Sequence, residues 1–250
     1  MLRKRLITVL TFNDGVLFRT KQFKPDYRYT LNFVDAWSVD EIVVLDVSRT
    51  DAHFKDRSAF LGVVERFARR CFVPMTVGGG LRSAGDVRYA LDAGADKVSV
   101  NTGALRRPEV INEIAALYGS QCVVLSVDAQ KEANGSYQAY CSFGACPSGW
   151  LVVDWAQEAV KRGAGEILVN SIERDGSLQG YDLGLCRQVS NAVDVPVLIC
   201  GGAGNWAHFQ SGFEEGGADA VCTSNIYHFT EKSIKSAKEY LSNAGIPVRI

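Results

Sequence analysis

Eight short apolar runs recur along the chain, and most are followed by a segment with helical periodicity. The runs are rich in Val, Ile and Leu without polar alternation, a pattern typical of parallel strands buried on both faces. The predicted strands are residues 5–12, 41–47, 74–77, 97–100, 122–128, 166–171, 196–200 and 220–224. The clearest predicted helices are residues 57–70, 84–93, 105–118, 150–163, 183–193, 205–216 and 231–244. Eight β-α units predict a (β/α)8 TIM barrel, with a doubly wound open sheet as the second choice.

Residues 74–102 and 196–225 repeat one design, an apolar strand followed by glycines, a helix and a second strand. We call Gly78–Gly80 the first glycine turn and Gly201-Gly202 the second glycine turn. A single turn of this kind is compatible with a simple tight bend. Its recurrence at about half the chain length predicts two similar anion sites, because glycines let backbone N–H groups approach a phosphate.

The same repeat predicts an internal duplication, with half-barrels of roughly residues 1–120 and 121–250. No linker or low-complexity stretch interrupts the chain, so residues 1–250 are predicted to form a single TIM-barrel domain.

Active sites of TIM barrels lie at the carboxyl ends of the strands. The polar or glycine residues predicted to stand there are Thr11, Asp46, Gly78–Gly80, Asn101, Asp128, Ser171–Asp175, Gly201-Gly202, Ser224 and Asn225. Two connections on this face, residues 13–29 and 129–149, are longer than usual and predict a lid or substrate clamp, with plain surface excursions as the alternative.

Composition restricts the partners and the cellular location. Hydrophobic residues make up 47% and charged residues 22% of the chain, and a net charge of −1 gives no reason to expect nucleic acid or an anionic membrane. No apolar run reaches transmembrane length. Seven cysteines without a C-x-x-C pair indicate reduced thiols and a cytoplasmic protein, and three histidines without ligand spacing argue against a zinc site. No metal or cofactor is predicted.

The motifs VDEIVVLD, TVGGGLRS, GADKVSVNTGAL, SIERDGSLQGYD and the terminal KEYLSNAGIPVRI occur in order from one end of the chain to the other. With them the chain closely resembles the HisF family, the cyclase subunits of imidazole glycerol phosphate synthase. The sister isomerase family, HisA, shares the doubled barrel and the glycine turns but far fewer of these sequence motifs.

The resemblance implies a lyase-type cyclisation. Ammonia from a separate HisH-like glutaminase attacks a ribulosyl aminoimidazole carboxamide nucleotide that carries a phosphate at each end. By resemblance, one phosphate is held by Gly79, Gly80, Asn101 and Thr102, and the other by Gly176, Gly201, Gly202, Ser224 and Asn225. Arg19 and Asp175 would be further substrate or phosphate contacts.

The resemblance also implies an ammonia gate at the opposite, amino-terminal end of the barrel. Its four charges are all present as Arg5, Glu41, Lys97 and Glu166, which we call the charged ring. An isolated surface salt bridge is the alternative. Because each residue stands at the start of a predicted strand, a ring is the favoured interpretation, and the glutaminase would dock on this face.

The catalytic pair is where the chain departs from the family, which uses aspartates at the ends of strands 1 and 5. Asp128 keeps the strand-5 position, but Thr11 occupies the strand-1 position and cannot act as a general acid or base near pH 7.

Three interpretations follow from this departure. The chain is a histidine-pathway cyclase with an atypical strand-1 residue. Alternatively, it is a HisF-like paralogue that supplies ammonia, with a HisH-like glutaminase, for acetamidino-sugar formation in surface polysaccharide. A third interpretation is a non-catalytic ammonia conduit, which predicts an intact charged ring with degenerate glycine turns.

Overall fold

Eight parallel strands form a closed barrel in the computed structural model, which describes residues 3–13, 16–28, 39–48, 57–224 and 234–249. The barrel strands are β1 Arg5–Asn13, β4 Glu41–Asp46, β5 Met75–Gly78, β6 Lys97–Val100, β7 Val123–Lys131, β10 Glu166–Ser171, β11 Val197–Cys200 and β12 Ala220–Thr223. Each predicted strand corresponds to one of them within a few residues.

Closure of the sheet distinguishes the barrel from an open sheet. β1 pairs in parallel with β4 on one side and with β12 on the other, where Arg5 lies opposite Ala220 and Ile7 opposite Cys222. β7 pairs in parallel with β6 and β10, so the path returns to its start. The TIM-barrel prediction is confirmed, whereas the half-barrel duplication stays a prediction.

The helices in the described ranges follow the barrel strands and cover the outside of the barrel. They are α1 Ser58–Ala68, α2 Ala84–Asp92, α3 Thr102–Arg106, α4 Glu109–Tyr118, α5 Val152–Arg162, α6 Leu183–Ser190, α7 Trp206–Glu214 and α8 Ile234–Asn243. The predicted helix 105–118 is split between α3 and α4, because Pro108 restricts the conformation of the residue before it and lacks an N–H. None of the helices in the described ranges is long and apolar enough to cross a membrane.

Side chains alternate between the interior and exterior of the barrel. In β1, Ile7 and Val9 point inward, while Leu6 and Leu10 pack outward in the layer of helices. We call the inward apolar set the bore cluster. Its buried members are Ile7, Val9, Val43, Val124, Leu168, Leu198, Ala220 and Cys222.

The two long connections contain antiparallel hairpins where the sequence suggested loops. β2 Val16–Lys21 and β3 Lys24–Arg28 extend from β1, and β8 Tyr137–Cys141 and β9 Cys146–Leu151 extend from β7. Alternating aromatic and polar residues, as in YQAYC, favour such strands.

Aspartate side chains accept hydrogen bonds at the amino-terminal ends of two strands. Asp96 accepts a hydrogen bond from Met75 N at 2.8 Å, and Asp219, its counterpart in the repeat, accepts one from Val197 N at 3.1 Å. Each carboxylate therefore holds the first residue of the neighbouring strand in place.

Candidate active site

A cavity of about 530 Å³ opens at the carboxyl ends of the barrel strands. It brings together seven residues singled out from the sequence. They are Thr11, Asp46, Gly79, Gly80, Asn101, Thr102 and Asp128. The tips of the two hairpins contribute Phe23, Ser142 and Phe143 to the same cavity. The cavity therefore lies where the fold was expected to place an active site.

Asp128 lines this cavity from β7 and is held by two amide side chains. Asn101 Nδ2 donates to Asp128 Oδ2 at 2.7 Å, and Asn170 makes a further hydrogen bond to the same carboxyl group. Burial and the nearby charge of Asp175 raise the pKa of Asp128 to about 7, although the two amide hydrogen bonds lower it. A carboxyl group with a pKa near neutrality suits proton transfer in either direction.

The first glycine turn forms one wall of the cavity. Gly79 has a φ of +97°, and a Cβ there would overlap the backbone of Asp46. The turn leads into α2, whose amino terminus is capped by Ser83, which accepts from Asp86 N at 3.2 Å. A wall of backbone beside a helix amino terminus suits a phosphate group.

The hairpin between β8 and β9 contacts the residues beside this turn. Ser142 N donates to Thr102 Oγ1 at 2.9 Å, and Arg106 Nη2 donates to Ser142 Oγ at 3.2 Å. Both Ser142 and Phe143 adopt positive φ angles, of 52° and 61°. The hairpin tip is thereby fixed against the predicted first phosphate site.

The second glycine turn lies outside the cavity lining. Gly201 and Gly202 have φ angles of +90° and +105°, and the turn is fixed by a hydrogen bond from Gly180 N to Gly202 O at 2.7 Å. Asn205 then caps α7 by accepting from His208 N at 3.0 Å. The geometry parallels that of the first glycine turn, with a strand end, two positive φ angles and a capped helix.

The other residues predicted to contact substrate or phosphate lie apart from the cavity lining or outside the described residues. Asp175 accepts from Phe23 N at 2.9 Å, so its carboxylate holds the tip of the β2–β3 hairpin. Gly176 packs against the backbone of β2. Ser224 follows β12, while Asn225 lies outside the described residues. Arg19 belongs to β2, and its side chain is likewise outside the described part of the chain.

The four residues of the charged ring meet at the opposite end of the barrel. Each is the first residue of its strand. Arg5 Nη1 lies 2.6 Å from Glu41 Oε1 and 2.8 Å from Glu166 Oε1. Lys97 Nζ lies 3.2 Å from Glu41 Oε2 and 3.0 Å from Glu166 Oε2. Cations and carboxylates thus alternate around the bore.

Burial alone would lower the pKa of Arg5, but Glu166 and Glu41 raise it above its ordinary value. Arg5 stays charged at every accessible pH. The bore cluster lies between this charged ring and the cavity that contains Asp128.

Comparison with known proteins identifies the family. A family model described as "Histidine biosynthesis protein" matches residues 8–233. The chain is also 44% identical over 255 aligned positions to "Imidazole glycerol phosphate synthase subunit HisF" of Anoxybacillus flavithermus, and the match covers all of both chains. The chain belongs to the HisF family. This confirms the resemblance seen in the sequence motifs.

The departure from the HisF family at the end of β1 falls inside the cavity. Thr11 pairs with Leu45 of β4 and lines the cavity with Asp128. A hydroxyl group at this position can orient a ligand but cannot exchange a proton near pH 7. Asp46, a second carboxylate of the cavity, lies 3.9 Å from Arg57 Nη2 and is paired with it.

Sequence reasoning missed two side chains of this HisF-family site. Arg57 Nη2 donates to Gly79 O at 2.6 Å and supports the first glycine turn from the start of α1. No sequence signal marks that contact, because it joins two residues 22 positions apart on different elements of the fold. Asn170 was detectable, since it lies at even spacing from Glu166 on β10 and therefore shares its inward face.

Among the described residues, no group of three or more His, Cys, Asp or Glu side chains is arranged to hold a metal ion.

Proposed function

We propose that this HisF-family chain catalyses the ammonia-dependent cyclisation of a ribulosyl aminoimidazole carboxamide nucleotide that carries two phosphates. Ammonia adds to the substrate, and cleavage with ring closure gives imidazole glycerol phosphate and an aminoimidazole carboxamide ribotide. The proposal is supported by the different chemistry at the two ends of the barrel. A cavity with a near-neutral carboxyl group lies at one end and a closed ring of four charges at the other.

In this proposal, one phosphate binds at Gly79, Gly80, Asn101 and Thr102. The other binds at Gly176, Gly201, Gly202, Ser224 and Asn225, and Arg19 adds a phosphate contact from β2. Asp175 supports the second site by fixing the β2–β3 hairpin tip through Phe23 N. Backbone amides and small polar side chains suit phosphate without a large basic patch.

Asp128 is the proposed proton-transfer residue. When the ammonia nitrogen bonds to carbon it becomes positively charged, and a carboxylate beside it can accept a proton. The protonated carboxyl group can later return that proton to a leaving group. A pKa of about 7 makes both forms accessible at neutral pH.

The proposed partner is a HisH-like glutaminase that docks on the amino-terminal face of the barrel and releases ammonia at the charged ring. The family name supports a subunit role, and the ring lies at the first residues of four strands. We expect both subunits to be cytoplasmic and no cofactor to take part.

Thr11 favours a second candidate, ammonia supply for acetamidino-sugar formation in surface polysaccharide. A barrel that only transfers ammonia does not require a second proton-transfer carboxylate at the end of β1. The conduit interpretation lacks such support, because it expects degenerate glycine turns and both turns are formed.

The discriminating experiment supplies ammonium at high pH, with no glutaminase, to the purified protein and the bisphosphorylated nucleotide. Weak cyclase turnover is expected from the natural chain, and Thr11→Asp should raise it by supplying the second proton-transfer group. Thr11→Val, which removes the hydroxyl without adding a carboxylate, is the control. Failure of both the natural chain and Thr11→Asp to turn over the nucleotide would refute the cyclase proposal and favour the sugar pathway.

A further inference from the structure

Asn170 lies directly beside Asp128 in the barrel wall. The register of β10 and β7 places the two residues opposite each other. Asn170 faces the cavity, as Asp128 does. Its position therefore gives it direct access to the carboxyl group that the proposed reaction uses.

Two amides from two different strands converge on this one carboxyl group. Asn101, which follows β6, donates at 2.7 Å, and Asn170 on β10 donates as well. β6 and β10 are the two parallel neighbours of β7. An asparagine can donate to a carboxylate only through Nδ2, so the carboxylate sets the orientation of both amides.

In this orientation both amide oxygens are buried. Asn101 Oδ1 and Asn170 Oδ1 accept no hydrogen bond from any residue in the described part of the chain. A buried acceptor without a hydrogen bond is unfavourable. The arrangement therefore supplies hydrogen bonds to the Asp128 carboxylate while the two amide oxygens go without them. This is the orientation expected around a carboxyl group whose ionised form is favoured.

The other end of the Asn170 amide reaches the second glycine turn. A Cβ added to Gly201 would lie 3.0 Å from Asn170 Oδ1 and 2.9 Å from Ser171 O. Gly201 leaves this space open, so the Asn170 amide lies between the Asp128 carboxylate and the turn.

We propose that Asn170 is a positioning residue that orients Asp128 and favours its carboxylate form. The inference rests on the proposed role of Asp128 in the cyclase reaction. Because the chain has Thr11 where the family has a second aspartate, a carboxylate held ready to accept the proton from nitrogen is needed at Asp128. The Asn170 amide donates a hydrogen bond to this carboxylate in place of a charged partner.

Within the described ranges, the titratable groups that face Asp128 are Asp175, which follows β10, and Cys200 on β11. The charged side chains that line the same cavity from other elements are Asp46, Arg82, Arg106 and Arg107. None of them is altered by substitution of Asn170, so a change in Asp128 titration reports the amide itself.

The test uses protein labelled with ¹³C at the aspartate carboxyl carbons and follows Asp128 by NMR from pH 4 to pH 9. Asp128→Asn assigns the signal. In Asn170→Ala, loss of one donor should raise the Asp128 pKa by about one unit. Asn170→Ser retains a small donor and should give a smaller rise, which keeps the test valid if the alanine variant does not fold. Asn112→Ala removes an exposed asparagine on α4 and should leave the titration unchanged.

An Asp128 pKa that is unchanged or lowered in both Asn170 variants would overturn the inference. The NMR titration does not depend on turnover, so its result is separate from that of the cyclase assay. A protein that titrates as expected but never cyclises the nucleotide would contradict the proposed function and leave the positioning role supported.

Discussion

Lys97→Met removes one of the two cations of the charged ring while retaining a side chain of similar length. In the natural chain two cations and two carboxylates balance, with all four contacts between 2.6 and 3.2 Å. The side chains of Lys97, Glu41 and Glu166 are 17%, 9% and 11% exposed. Substitution leaves Arg5 alone between two carboxylates that have little access to water.

The expected loss follows from that burial. Breaking a fully buried ion pair by removing one partner destabilises a protein by about 3–5 kcal/mol. Arg5 still contacts both carboxylates here and some solvent reaches the ring, so we expect a loss of about 2–3 kcal/mol in the free energy of unfolding. Equilibrium unfolding in urea at pH 7 measures it, provided that refolding is complete.

Two further variants make the comparison decisive. Arg88→Met breaks an exposed pair, since Arg88 and Asp92 are 75% and 67% exposed, and should change the free energy of unfolding by less than about 0.5 kcal/mol. Lys97→Met combined with Glu41→Gln restores neutrality and should recover part of the loss. If Lys97→Met destabilises the protein no more than Arg88→Met does, the ring is not a buried charge network.

Two other predictions concern the cavity. Asp128→Asn should stabilise the protein at pH 8 by about 1–3 kcal/mol. Because the pKa of Asp128 is raised in the folded state, its carboxyl group stabilises the fold at pH values below its unfolded pKa. That contribution is lost as pH rises toward 7, and the amide side chain introduced by Asp128→Asn does not lose it. Urea unfolding at pH 5 and pH 8 checks this, and an equal effect at both pH values would contradict it. Gly79→Ala should lower the free energy of unfolding by about 3 kcal/mol or more, because the added Cβ overlaps the Asp46 backbone. Gly135 also has a positive φ, of +84°, but has open space around it, so Gly135→Ala should lower the free energy of unfolding by only about 1 kcal/mol. Equal losses for the two glycine variants would show that the first glycine turn tolerates a side chain.

The barrel was predictable because its strands are continuous apolar runs and its turns carry glycine. The hairpins were less visible, since residues 13–29 and 129–149 mix strand-forming aromatics with turn residues. The break between α3 and α4 at Pro108 shows how a single residue overrides helical periodicity.

The candidate site was predictable where a residue follows directly from its strand, as Asp128 does. Asp175 was predicted to contact substrate or phosphate, and in the structure its carboxylate accepts a hydrogen bond from Phe23 N of the β2–β3 hairpin. That contact depends on the fold of a distant segment, so no local pattern could indicate it. Arg57 was missed for the same reason.

The central claim is that Asp128 carries the proton transfers of an ammonia-dependent cyclase. Its most direct test is the rate of imidazole glycerol phosphate formation from the bisphosphorylated nucleotide and ammonium, with and without Asp128→Asn, in both the natural chain and the Thr11→Asp background. We predict a loss of at least about a hundredfold in the Thr11→Asp background, the size expected for removal of a general acid or base, and no detectable product from Asp128→Asn in the natural chain. Turnover that survives Asp128→Asn in both backgrounds would contradict the account.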